Sequence, residues 1–134
     1  MTDFTTFSRF SSSIQACAAR ILDVEDKALD SSLLGLFKKR DHAGFMQILD
    51  QITLDLKKLK VQVSSQNPPV MKSQNLQGYI DALIGFNETL WKICSGLNDK
   101  NMGQPYSMSL YQASLNLLEK QKSACSLAQA NLLK

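Results

Sequence analysis

Residues 7–28 read FSRFSSSIQACAARILDVEDKA, with apolar side chains at Phe7, Phe10, Ile14, Cys17, Ile21, Val24 and Ala28, three and four residues apart in alternation. A helix turns once every 3.6 residues, so this spacing draws a single apolar line along one of its sides. Sustained over about six turns, the line predicts a long amphipathic helix that packs against others of its kind. Leu22 and Leu29 widen the stripe, and Asp3, Thr5 and Thr6 offer side-chain oxygens to cap its start. Asp30-Ser31-Ser32 then signals a turn.

The same period recurs along the chain. Leu33, Leu34, Leu36 and Phe37, followed by Lys38-Lys39-Arg40, predict a short helical connector. Asp41 is a good N-cap for a second helix, in which Phe45, Ile48, Leu49, Ile52, Leu56, Leu59 and Val63 recur at helical spacing. Pro68-Pro69 places the longest loop between Ser64 and Asn75, because proline removes N–H donors and turns the residue before it away from helix. A third helix, capped by Asn75, carries Tyr79, Leu83, Phe86, Leu90, Ile93 and Leu97, with Leu76, Ile80, Ile84, Trp91 and Cys94 beside them. A polar loop is expected from Gly96 to Gln104, closed by Pro105 near a helix start. The last helix, from about Ser107 to Leu132, has Met108, Tyr111, Leu115, Leu118, Cys125 and Leu132 on one seam. Leu110, Leu117 and Leu127 lie off that line.

No segment with β-type alternation is left over. The fold class expected is therefore all-α: a four-helix, up-down-up-down antiparallel bundle with a short extra helical connector between helices 1 and 2. At 134 residues the chain, 1–134, fits one domain. Ile14, Ile21, Ile52, Leu56, Leu83, Leu90, Leu115 and Leu118 are the expected core.

Composition argues against several kinds of chemistry. The net charge of +3 is mild, and the two basic clusters, Lys38-Lys39-Arg40 and Lys57-Lys58 with Lys60, would stand about 27 Å apart along a helix rising 1.5 Å per residue. They form no single phosphate-tracking patch, so no nucleic-acid partner is expected. No apolar run approaches the roughly 18 residues of a membrane span, so no membrane partner is expected. Cys17, Cys94 and Cys125 are far apart and sit on or beside apolar seams, which predicts reduced, buried thiols. His42 is the lone histidine, and its surroundings do not resemble the mid-helix, solvent-facing histidine of phosphotransfer bundles. At a helix start it is expected to face solvent or the capping region. Glu25, Glu88 and Glu119 are not followed three residues later by histidine, so no di-iron set is expected, nor any other metal or cofactor. No serine or cysteine has a base and an orienting acid in view, and the chain is not expected to be an enzyme.

What the composition leaves over is uncharged helix surface. The stretches from Phe10 to Ala19, Ser107 to Leu118 and Ser123 to Leu132 carry no formal charge at any position. Depletion of charge marks the core of protein–protein interfaces. Helix 3 adds a column of small residues, Gly78, Ala82, Gly85 and Thr89, on the side away from its main seam. The function expected is a protein–protein interaction module (homo-oligomer, adaptor or chaperone-like subunit) that binds another protein or a second copy through the charge-poor faces of helices 1 and 4. The candidate interface residues are Ser12, Ala16, Gly78, Ala82, Gly85, Ala113 and Ala124. A second expectation is a small-ligand site lined by Tyr79, Phe86, Trp91, Tyr111 and Met108. The N-terminal residues show neither the basic region nor the apolar core of a secretory signal, which suggests a cytoplasmic protein. Seven Ser or Thr among the first thirteen residues keep a leaderless exported bacterial effector as the alternative.

Overall fold

A computed structural model describes residues 2–29 and 40–133 of the chain. Over these residues the chain forms α1 (Thr2–Ala28), α2 (His42–Ser64), α3 (Ser73–Asn101) and α4 (Met108–Leu132). Consecutive helices pack together, as in an up-down four-helix bundle. Pairings across the bundle fix the antiparallel sense. His42 at the start of α2 meets the Ala28 carbonyl at the end of α1 at 3.1 Å, Lys60 towards the end of α2 meets Asp81 in the first third of α3 at 2.8 Å, and Lys72 just before α3 reaches the Leu132 carbonyl at the end of α4 at 2.8 Å. The expected connector falls on residues outside the described ones.

The Asp41 cap lies where the sequence places it, and the structure adds a second cap at Ser107. The Asp41 carboxylate accepts from the Gly44 N–H at 3.0 Å, and the Ser107 hydroxyl accepts from the Leu110 N–H at 3.1 Å. Both satisfy N–H groups that the first helical turn leaves without partners. Gly44 suits this arrangement, because a Cβ there would collide with the Asp41 carboxylate.

Other boundaries differ from expectation. α1 already starts at Thr2, so Thr5 and Thr6 sit inside the helix rather than capping it. α3 starts at Ser73 after Lys72, whose backbone is left-handed (φ 57°), and Asn75 instead donates to the Asn131 carbonyl at the end of α4. α3 also runs on through Gly96 to Asn101. Gly96 is no stop signal: a Cβ there would come within 2.5 Å of the Tyr106 ring, so glycine makes room for the tyrosine of the following loop.

The core gathers Phe10, Ile14, Ile21, Leu49, Ile52, Leu56 and the broad face of α3 into one apolar cluster. Seven of the eight expected core residues are at most 2% exposed. Leu115 is the exception and is half-buried, for a reason that becomes clear at the α1–α4 edge. Cys17, Cys94 and Cys125 are free and buried. Burial raises the thiol pKa of Cys17, and pushes that of Cys94 to about 12 and that of Cys125 to about 11.

Candidate functional site

The four helices are not packed evenly. α3 packs on α2 and α4, and α1 leans onto α2 and also reaches α3 across the bundle, while α4 rests chiefly on α3. The α1–α4 edge is consequently left ajar. Long polar side chains span it: Lys122 to Glu25 at 2.9 Å, and the Gln129 amide to the Gln15 oxygen at 2.8 Å. The Tyr79 hydroxyl approaches that same Gln15 oxygen at 3.5 Å from α3. The Glu25 carboxylate favours the charged form of Lys122 and raises its pKa.

Above and below the Glu25–Lys122 bridge the edge opens into two hollows. The larger, of about 580 Å³, lies between Glu25, Asp26, Leu29 and Arg40 on one side and Leu115, Asn116, Leu118 and Glu119 on the other. It explains the half-burial of Leu115, whose outer side faces this space. The smaller, of about 240 Å³, has walls of Ala18, Ala19 and Leu22 from α1 and Ser126 and Gln129 from α4. Its floor is Leu83 and Phe86 of α3 with Cys125. Together they form one cleft, charged at one end and apolar at the other. Ala18, Ala19, Ser126 and Gln129 all come from the uncharged stretches of sequence.

The seven candidate interface residues do not converge. Ser12 and Ala16 are exposed on the outer side of α1, and Ala113 and Ala124 are exposed on the outer side of α4. Ala82 is half-buried and packs against the core. Gly85 is half-buried too, and a Cβ there would meet Gln121 of α4 at 3.7 Å. Thr89 is 7% exposed. The small-residue column of α3 therefore serves largely inside the molecule, where it lets α4 approach, and Gly78 alone of its members is open. None of the seven lines the cleft. The cleft's own walls were missed because periodicity reports which face is apolar but not how far apart two helices stand.

The five aromatic and Met residues of the ligand reading are scattered. Tyr79 and Phe86 line the smaller hollow, Trp91 belongs to a shallow depression between α2 and α3, Tyr111 is wholly buried and Met108 is exposed. Among the described residues, no three His, Cys, Asp or Glu side chains come together as a metal set, and no helix is long and apolar enough to cross a membrane.

His42 overturns its expected exposure. It is fully buried, with Nε2 at 3.1 Å from the Ala28 carbonyl at the end of α1. Its Nδ1 lies 3.3 Å from the Asn101 amide nitrogen at the end of α3. The same amide donates to the Arg40 carbonyl at 3.2 Å. A neutral ring that donates from Nε2 and accepts at Nδ1 satisfies every partner. The imidazole is a latch joining three helix ends, and burial holds its pKa below the ordinary value. Its partners lie 14 and 59 residues away, so nothing local announces the role.

Protein-family models, curated proteins and solved structures, compared with this chain, give no match.

Proposed function

We propose that the protein is a non-enzymatic protein–protein interaction module, and that its recognition side is the α1–α4 edge. The observation that supports this reading is the cleft itself. A bundle selected only for stability would close the edge with interlocking apolar side chains. Here only the long polar pairs Glu25–Lys122 and Gln15–Gln129 bridge the two helices, over an apolar floor of Leu83 and Phe86. The flanking outer faces, with Ser12, Ala16, Ala113 and Ala124, add exposed surface that a partner covers at little desolvation cost. An amphipathic helix fits such a groove, its apolar stripe against Ala18, Leu22 and Phe86 and its polar end towards Glu25, Asp26 and Arg40.

The test is affinity capture from the native source with the parent and with Ser12→Lys, Ala16→Glu and Leu22→Glu, beside Gln51→Lys as a control on the exposed side of α2. Proteins enriched by the parent and by the control should be lost from the three variants. Capture that is the same for all of them refutes the reading. The smaller hollow favours a second reading, in which an apolar small molecule binds beside Cys125. A thermal-shift scan against small molecules separates the two: a stabilising compound whose effect vanishes in Leu22→Glu supports the ligand reading.

A further inference from the structure

α4 carries a second apolar seam that the bundle does not use. Leu110, Ala113, Leu117, Lys120, Ala124, Leu127 and Asn131 are spaced three and four residues apart, as in a coiled-coil stripe. The three leucines are 55%, 48% and 64% exposed, and Ala113, Lys120 and Ala124 are exposed as well. At 1.5 Å per residue the stripe is about 32 Å long. Its flanking rows are Ser109, Asn116, Ser123 and Ala130 on one side and Ser114, Gln121 and Ala128 on the other. Lys120 is thus the one charge in the seam and its borders.

We infer that this seam pairs with the same seam of a second copy, antiparallel and about a two-fold axis. The inference rests on the reading of α4 as a docking element and names its partner. Self-complementarity supports the choice. Set antiparallel, with Leu117 opposite Lys120, the stripe places Leu110 against Leu127 and Ala113 against Ala124, and the two-fold repeats each layer. The alanine layers let the helices approach to about 8 Å. Lys120 then lies along a leucine with its ammonium free to reach water. A parallel, in-register pair would instead set Lys120 against Lys120, and that repulsion selects the antiparallel arrangement. A contact one helix wide is smaller than the ~800 Å² per partner of a standard interface, so dissociation in the micromolar range is expected.

Light scattering and sedimentation from about 1 µM to about 1 mM give the first readout. The mass should rise from the 14.9 kDa of one chain towards twice that value. Leu117→Glu, on exposed surface, should hold the protein monomeric with its helix content unchanged. Geometry is read by mild oxidation of Ala113→Cys and Ala124→Cys. A mixture of the two single variants should cross-link to a dimer, each alone should not, and the parent with its three buried thiols gives the background. A parent that stays monomeric throughout, association that survives Leu117→Glu, or cross-linking of each variant chiefly with itself would overturn the inference. Ser12, Ala16 and Leu22 lie outside this seam, so the capture experiment with those variants succeeds or fails independently of it.

Discussion

α3 and α4 are similar in length, 29 and 25 residues, yet eleven residues of α3 are buried and only four of α4. α3 touches every other helix, and its Asn87 amide, 1% exposed, donates to the Leu49 carbonyl at 2.9 Å and to the Thr53 hydroxyl at 2.6 Å on α2. α4 rests mainly on α3, with one side on the cleft and another carrying exposed leucines. The difference teaches that similar helix length does not mean equal structural duty. α3 is the spine of the fold, and α4 is a half-used helix with surface left for other contacts.

Core truncation should show this asymmetry most strongly. Leu90→Ala in α3 is expected to cost about 2–5 kcal/mol in denaturant unfolding, since it removes a fully buried side chain from a packed layer. Leu117→Ala in α4 should fall within about 0.5 kcal/mol of the parent in dilute solution, where about half of the side chain already faces water. Equal losses at the two sites would show that α4 is as integral as α3.

Asn87→Ala should cost about 1–3 kcal/mol, because it removes a buried amide that donates to both the Leu49 carbonyl and the Thr53 hydroxyl of α2. Gln129→Ala, at the α1–α4 edge, should cost far less in the same measurement. A comparable loss at Gln129 would mean that the edge is held as tightly as the α2–α3 contact.

The pH dependence sharpens the comparison at the end of α3. Burial lowers the His42 pKa below its unfolded value of 6.5. The two states are alike above that pH, and below it the unfolded chain takes up a proton that the folded chain resists. His42 therefore contributes stability that is whole above pH 6.5 and declines as the pH falls through the folded-state pKa. Protonated Nδ1 would also face the Asn101 amide donor-to-donor. Denaturation midpoints between about pH 7.5 and pH 5 should fall for the parent and less steeply for His42→Leu, which is less stable at neutral pH. Parallel curves would remove the latch from the account.

The smallest effect belongs to the bridge over the cleft. Lys122→Met should change stability by no more than about 1 kcal/mol, because the ion pair with Glu25 is partly in water. A loss of several kcal/mol would make the bridge a structural clamp.

Much of the architecture was legible because it is local. The alternating spacing of Phe10, Ile14, Cys17, Ile21 and Val24 depends only on helical pitch, and the cap at Asp41 acts over three residues. What was hidden depends on distant partners. Gly96 reads as a helix stop until Tyr106 folds over it, and His42 reads as a surface residue until Ala28 and Asn101 close on it. Gly85 reads as an outer docking position until α4 brings Gln121 against it. The cleft is the furthest from the sequence, since it arises from α1 packing on α2 and α3 while α4 packs chiefly on α3.

Native-state hydrogen exchange, read helix by helix at low and high protein concentration, tests the contrast between α3 and α4 most directly. In dilute solution the amides of α4 should exchange through an opening of lower free energy than those of α3, which should open only with global unfolding. Raising the concentration should slow exchange in α4 selectively. A single opening free energy shared by both helices, unchanged by concentration, would contradict the account.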